Sequence, residues 1–99
     1  MKRFRDFSDD IILLTAEAER HIAAAHPEVS KEQIATTLGN PDEVRRSSYK
    51  TTSVLYYRLK RKNRFICVVV KECPDGFFIV TAMTTTKPKS GEVLYVREN

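Results

Sequence analysis

The chain has 99 residues, 41% hydrophobic and 30% charged, a composition typical of a folded domain rather than a disordered segment. This length supports one hydrophobic core and is too short for two, so we expect a single domain over residues 1–99. No apolar run reaches the roughly 20 residues that span a bilayer, and Asp9-Asp10 interrupts the start of any signal peptide. The sequence therefore predicts no membrane association.

The net charge of +4 is unevenly distributed along the chain. Residues 1–44 carry five basic and nine acidic side chains, whereas residues 45–99 carry twelve basic and four acidic ones. From Arg45 to Arg64 there are eight Lys or Arg residues and no Asp or Glu. Because a one-sided field attracts anions, and Lys and Arg bind phosphates partly by releasing counterions, this stretch predicts a polyanion as partner.

The two cysteines, Cys67 and Cys73, fall in or at the end of one predicted strand, where their Cα atoms would be about 20 Å apart. That separation is too large for a disulfide, so we expect free thiols in a reducing cytoplasm. His21 and His26 are five residues apart rather than the four of a helical metal pair. No Cys/His set has zinc-binding spacing, and we predict neither a metal nor a cofactor.

Helical patterns occupy residues 8–40. The first predicted helix runs from about Ser8, a good N-cap, to Ala25, and Pro27 disfavours helical geometry at His26. The second begins at Ser30, where Ser30 and Gln33 fit a capping box, and buries Ile34 and Leu38. It ends at Gly39, which we expect to supply a left-handed residue.

From Glu43 onward the hydrophobic period changes to two, which is typical of strands. We predict strands over residues 44–49, 53–60, 65–72 and 77–84, with a short last strand at 92–96. Short connections favour an antiparallel meander. The predicted fold class is α+β, with two N-terminal helices packed on one face of a four- to five-stranded antiparallel sheet, the helices over residues 8–40 and the sheet over 43–96.

Alternation along these strands predicts two different sheet faces. Leu55, Tyr57 and Thr81 fall on an apolar face that the helices would cover. Arg58 and Lys71 fall on the other face, which is the more basic. This assignment assumes that no β-bulge intervenes.

Five short phrases in this order resemble the phage-derived branch of the barnase–EndoU–colicin E5/D–RelE-like (BECR) nucleases. They are His21-Ile22 with His26-Pro27-Glu28-Val29, Asn40-Pro41-Asp42-Glu43-Val44, Leu55-Tyr56-Tyr57-Arg58, Cys67-Val68-Val69-Val70-Lys71 and Phe78-Ile79-Val80-Thr81-Ala82. The resemblance covers roughly residues 18–90 and implies a metal-independent RNase of toxin or phage-effector type, built as helices on a small RelE-like sheet. It also implies a site with His21, Arg58 and Thr81, and an acidic inhibitor protein as partner.

The candidate residues can be given chemical roles in RNA cleavage. His21 could act as acid or base on the RNA 2′-OH and leaving oxygen, while Arg58 and Lys71 could hold the scissile phosphate. Tyr56 could stack a base or be a half-buried strand aromatic, and His26 could be a site residue or only a helix terminus. The full set of predicted substrate-binding residues is Arg45, Arg46, Tyr56, Lys60, Arg61, Lys62, Arg64, Thr84 and His26.

Three functions remain open at this point. The first is a metal-independent endoribonuclease that cleaves RNA through its own 2′-OH, with no cofactor. The second is a non-catalytic nucleic-acid-binding module, favoured by Ala25, which stands where the resembling family often has a basic residue. The third is a protein-interaction module that docks an acidic partner on the basic residues.

Overall fold

The computed structural model describes residues 1–98 and contains one sheet of seven strands with two short helices. The elements are β1 (Lys2–Arg5), β2 (Ile11–Leu14), α1 (Ala16–Ala25), α2 (Lys31–Gly39), β3 (Glu43–Ser47), β4 (Ser53–Arg61), β5 (Arg64–Cys73), β6 (Gly76–Thr85) and β7 (Gly91–Val96). The strand order is β1-β2-β6-β5-β4-β3-β7, with β2 and β6 parallel and the other pairs antiparallel. The predicted fold class is therefore wrong: the sheet is larger than expected and mixed.

The first predicted helix begins too early in the sequence. Ser8 does not cap a helix, because it lies in the loop between β1 and β2 and donates its hydroxyl to Asp6. The apolar run from Ile11 to Leu14 forms β2 instead, pairing with β1 on one side and β6 on the other. Helix α1 starts only at Ala16, where the Thr15 side chain accepts from the Ala18 backbone N–H at 3.1 Å.

Helix α2 confirms the predicted start. The Ser30 side chain accepts from the Gln33 N–H at 3.1 Å, and the Gln33 side chain accepts from the Ser30 N–H at 2.8 Å. Ile34 and Leu38 are buried, as expected from their spacing. Gly39 is not left-handed, since it does not have positive φ. Within residues 1–98, no helix is long and apolar enough to cross a membrane.

The five strands predicted after residue 43 are present as β3 to β7, within two residues of their expected bounds. Several of their side chains, however, lie on the other face of the sheet from the one predicted. Tyr57 pairs with Cys67 in the β4–β5 hairpin, so Tyr56 shares the helix-covered face with Val68. Tyr57 lies on the opposite face, which no helix covers and which we call the open face; there it forms a second buried cluster with Leu55 and Cys67. The prediction that Tyr57 faces the helices is wrong because the β4–β5 register shifts by one residue between Leu59 and Arg61, which leaves Lys60 as an extra, bulged residue.

A bulge in β6 also changes which side chains of that strand face the helices. Val69 pairs with Thr81 and Val70 with Ile79, so Val80 is the extra residue. Ile79 therefore faces the helices while Thr81 faces the open side with Val69. Lys71 follows the alternation of β5 onto the open face. Arg58, two residues after Tyr56, is on the helix-covered side, so the prediction that Arg58 and Lys71 share a face is wrong.

A buried carboxylate organises the helix-covered face. Asp6, which is 6% exposed, accepts hydrogen bonds from the backbone N–H groups of Ser8 and Asp10, both at 2.9 Å. Its other oxygen accepts from the Tyr56 hydroxyl at 2.7 Å. The adjacent Phe7 ring packs on Tyr95 of β7 at 4.4 Å between centroids. The loop after β1 thus reaches strand β7, which lies at the opposite edge of the sheet.

Replacing Tyr56 by Phe tests how much this carboxylate contributes to stability. The change removes a buried donor and leaves one Asp6 oxygen without its partner, so we expect the free energy of unfolding to fall by about 1–3 kcal/mol. Urea denaturation measures it. Tyr49→Phe is the matched control, because Tyr49 is exposed and its loss of a hydroxyl should change stability by less than about 0.5 kcal/mol. Equal effects of the two substitutions would contradict a role for the buried bond.

Two buried groups on the open face make the stability of the protein depend on pH in the alkaline range. Burial raises the pKa of Tyr57 to about 12 and that of Cys67 to about 12. The unfolded chain loses these protons first, so stability is fully present below about pH 9 and falls as pH rises toward 12, by up to about 1.4 kcal/mol per pH unit for each group. Urea denaturation between pH 8 and 11 checks this. Tyr57→Phe should give a shallower decline, and an unchanged slope would refute the assignment.

Candidate functional site

Both histidines lie together at one end of the helix-covered face. Helix α1 ends at Ala25, and His26 leaves helical geometry at φ −136° and ψ 60°. This brings the His26 ring edge-on to the His21 ring, with 6.3 Å between centroids. A continuous helix would have placed the two side chains roughly 140° apart around its axis. The helix end therefore brings together two residues that the sequence spacing separates.

A carboxylate and a hydroxyl complete this group, which we call the histidine cluster (His21, His26, Glu28 and Thr84). The Glu28 carboxylate lies 3.8 Å from His26 Nδ1 and accepts from the Thr84 hydroxyl at 3.2 Å. Its own backbone N–H, then the Thr84 hydroxyl and the His26 imidazole, lower the pKa of the Glu28 carboxyl. A carboxylate beside an imidazole holds the ring in one orientation.

The histidine cluster is open to solvent. His21 is exposed, and the side chains of His26 and Glu28 are 30% and 40% exposed. Thr84 sits in β6 on the helix-covered side, because its partner Ile66 belongs to the core beneath the helices. A dissolved molecule can therefore reach both imidazoles without any movement of the fold.

Arg58 lies in line with Thr84 across the sheet, two strands away. Ile66 pairs with Thr84 on one side and with Arg58 on the other, so the Cα atoms of Thr84 and Arg58 are about 10 Å apart. The Arg58 guanidinium donates to the Asn40 carbonyl at 2.6 Å, at the end of α2. This bond uses one of its five N–H groups and fixes the side chain across the surface between β4 and α2.

The basic stretch divides into bound and free residues. Arg45 pairs with Glu43 and donates to the Lys89 carbonyl, while Arg46 pairs with Glu72 and donates to the Thr51 carbonyl, so both have structural partners. Four further basic residues lie at the β4–β5 turn, at the end of the sheet that carries Thr84, since Phe65 pairs with Thr85. We call this group the basic turn; it comprises Lys60, Arg61, Lys62 and Arg64.

Three other predicted site residues lie away from the histidine cluster. Tyr56 is in the core with its hydroxyl on Asp6, so its ring presents no face to solvent. Lys71 and Thr81 lie on the open face, behind the sheet as seen from His21. The Thr81 hydroxyl is buried and has no hydrogen-bond partner among residues 1–98. The structure thus brings together His21, His26 and Thr84, with Arg58 and the basic turn nearby.

Glu28 is the residue that sequence reasoning missed. It stands in the phrase His26-Pro27-Glu28-Val29, which was singled out only as a helix boundary and a family signature. An acid two residues after a histidine, held by a proline in a short non-helical linker, is the signal that could have identified it. Within the part of the chain that the structure describes, no group of three or more His, Cys, Asp or Glu is arranged to hold a metal ion.

In comparisons with protein-family models, with curated proteins and with solved structures, nothing matches this chain. A function for this protein must therefore follow from the histidine cluster itself.

Proposed function

We propose that the protein is a metal-independent endoribonuclease of toxin or phage-effector type, acting in the cytoplasm. The observation that carries the proposal is the pair of solvent-accessible imidazoles, 6.3 Å apart, one of them beside a carboxylate. RNA cleavage through the 2′-OH needs one group to accept the hydroxyl proton and a second to protonate the leaving oxygen. Imidazoles perform both tasks efficiently near neutral pH.

The reaction divides between the two imidazoles. One takes the proton from the 2′-OH, whose oxygen attacks the phosphorus; the bond to the 5′-oxygen breaks, and the second imidazole donates its proton to that oxygen. The products are a 2′,3′-cyclic phosphate and a free 5′-OH. Glu28, 3.8 Å from His26 Nδ1, orients that imidazole. Arg58 and the basic turn supply positive charge for the phosphate, whose charge increases in the transition state.

Substitution of the histidines tests the activity. We expect His26→Ala and His21→Ala each to lower the rate of RNA cleavage by about 10²–10⁴-fold, because each removes one proton-transfer group. Both residues are outside the core, so circular dichroism and urea denaturation should show an intact fold. The wild-type rate should be the same with EDTA and should depend on pH as a bell-shaped curve, since one imidazole must be neutral and the other protonated.

Thr84→Val has a smaller expected effect, because it removes only the hydrogen bond that holds Glu28. Thr86→Val is its matched control: Thr86 is exposed and two residues further along the chain. Cleavage that EDTA abolishes would refute the mechanism. RNA binding without cleavage under any condition would instead indicate the non-catalytic nucleic-acid-binding module.

The basic turn should set the affinity for RNA and its dependence on salt. Each phosphate contact to single-stranded nucleic acid contributes about −0.7 to the slope of log K against log salt, so the double substitution Lys60→Gln/Lys62→Gln should make the slope shallower by about 1.4. The control Arg3→Gln/Lys50→Gln removes the same charge from exposed positions at other edges of the molecule. Fluorescence anisotropy with a labelled oligonucleotide measures both. Identical slopes would contradict a specific role for the turn.

An acidic inhibitor protein is the second partner that this proposal implies. Its acidic side chains would pair with the basic turn and Arg58, and it would thereby cover the histidine cluster. Docking of such a partner is also what the protein-interaction alternative requires, so loss of RNA cleavage upon its binding would distinguish the two.

A further inference from the structure

A cavity of about 210 Å³ lies next to the histidine cluster, between α2 and the ends of β4 and β5. Its wall includes Ile66, the cross-strand neighbour of Thr84, so it begins one strand spacing, about 5 Å, from the residue that holds Glu28. The polar residues of the wall are Glu32, Gln33, Thr36, Thr37, Arg58 and Lys60, and the apolar ones are Leu59 and Ile66. We call it the α2 cavity. Neither the proton-transfer chemistry nor the packing of the core uses it.

The size of the α2 cavity suits a small planar group. Sites for drug-sized ligands occupy about 300–1,000 Å³, so about 210 Å³ is too small for a whole nucleotide. Its wall is apolar at Ile66 and polar at the residues of α2. Proteins that read single-stranded RNA hold an unstacked base in this way, with apolar contact on the ring and hydrogen bonds to the base edge.

One polar group in the wall has no partner. Thr37 is 0% exposed, and its hydroxyl makes no hydrogen bond to any of residues 1–98. Leaving a buried hydroxyl unpaired destabilises the folded state, and most such groups in proteins have a partner. The neighbouring Gln33 uses its side-chain oxygen to cap α2, which leaves its amide NH₂ available to a ligand. The Gln33 amide is therefore an unused donor at the cavity, whereas the Thr37 hydroxyl lies beneath the wall and is not reached by solvent.

Charge determines which bases fit. The Glu32 carboxylate accepts hydrogen bonds and cannot donate them when ionised, and Gln33 and Lys60 supply donors. A base with an exocyclic amine can donate to the carboxylate and also accept at a ring nitrogen or carbonyl oxygen. Adenine, cytosine and guanine carry that amine, whereas uracil offers only its N3–H, which lies between two carbonyl oxygens that a carboxylate repels.

We propose that the α2 cavity is a nucleobase subsite that selects bases with an exocyclic amine over uracil, for the nucleotide next to the scissile phosphate. This inference rests on the proposed function, since it assigns the substrate preference of the same site. Arg58 links the two regions, because it is in the cavity wall and at the level of Thr84 on the sheet.

Binding of the four 3′-mononucleotides to the wild-type protein tests the subsite without any cleavage step. In NMR titrations we expect 3′-AMP, 3′-CMP and 3′-GMP to shift the Ile66 methyl and Gln33 side-chain amide signals. Their Kd values should be at least about fivefold lower than that of 3′-UMP, the discrimination typical of a specific base contact. Because the phosphate is common to all four, it cancels from this ratio.

One substitution and its matched control locate the effect. Glu32→Ala should bring the ratio of Kd values close to one, because it removes the carboxylate that accepts from the exocyclic amine. Asp75→Ala, at the β5–β6 turn about 20 Å or more from Ile66, should leave the ratio unchanged.

Equal affinity for all four nucleotides, or binding that leaves Ile66 unshifted, overturns the subsite. If RNA is still cleaved in that case, the inference fails and the proposed function stands. If the cavity discriminates against uracil but RNA is not cleaved, the subsite stands as the base reader of a binding protein and the proposed function fails.

Discussion

The Asp6 carboxylate is the interaction on which the shape of the protein depends. It is buried, and a buried charge is tolerated only when hydrogen bonds replace its water. Two backbone N–H groups and the Tyr56 hydroxyl do so, and this ties the loop after β1 to the middle of the sheet. Because Phe7 in the same loop packs against Tyr95 of β7, the two edges of the sheet are linked through one carboxylate. The same helix-covered face carries the histidine cluster, through Thr84 of β6.

Most of the secondary structure after residue 30 could be predicted, because it depends on local patterns. The capping box of Ser30 and Gln33 and the alternation of the later strands each involve neighbouring residues. The N-terminal strands could not be recognised in the same way. Ser8 followed by two aspartates has the appearance of a helix start, yet this segment surrounds Asp6. The parallel pairing of β2 with β6 joins residues far apart in sequence, and no local pattern indicates it.

The candidate site was predictable in its residue types and not in its geometry. His21, His26, Thr84 and Arg58 were all recognised, whereas Lys71 and Thr81 were expected near them and lie behind the sheet. One bulge in β4 and one in β6 account for this, because each shifts the register by one residue and so reverses which face the side chains beyond it occupy. Glu28 was missed since its role arises from the bend after Ala25. The face of a sheet is thus the least secure inference from a strand pattern.

The parallel contact between β2 and β6 has a consequence for synthesis of the chain. Ile12 finds its partner Phe77 only about 65 positions later, which at ribosomal rates of about 5–20 residues per second is a delay of roughly 3–13 s. During that interval the N-terminal hairpin has a bare edge and an apolar side without cover. Contacts so distant in sequence also slow folding in general. A chaperone that shields nascent strands would therefore affect the yield of this protein more than its final stability.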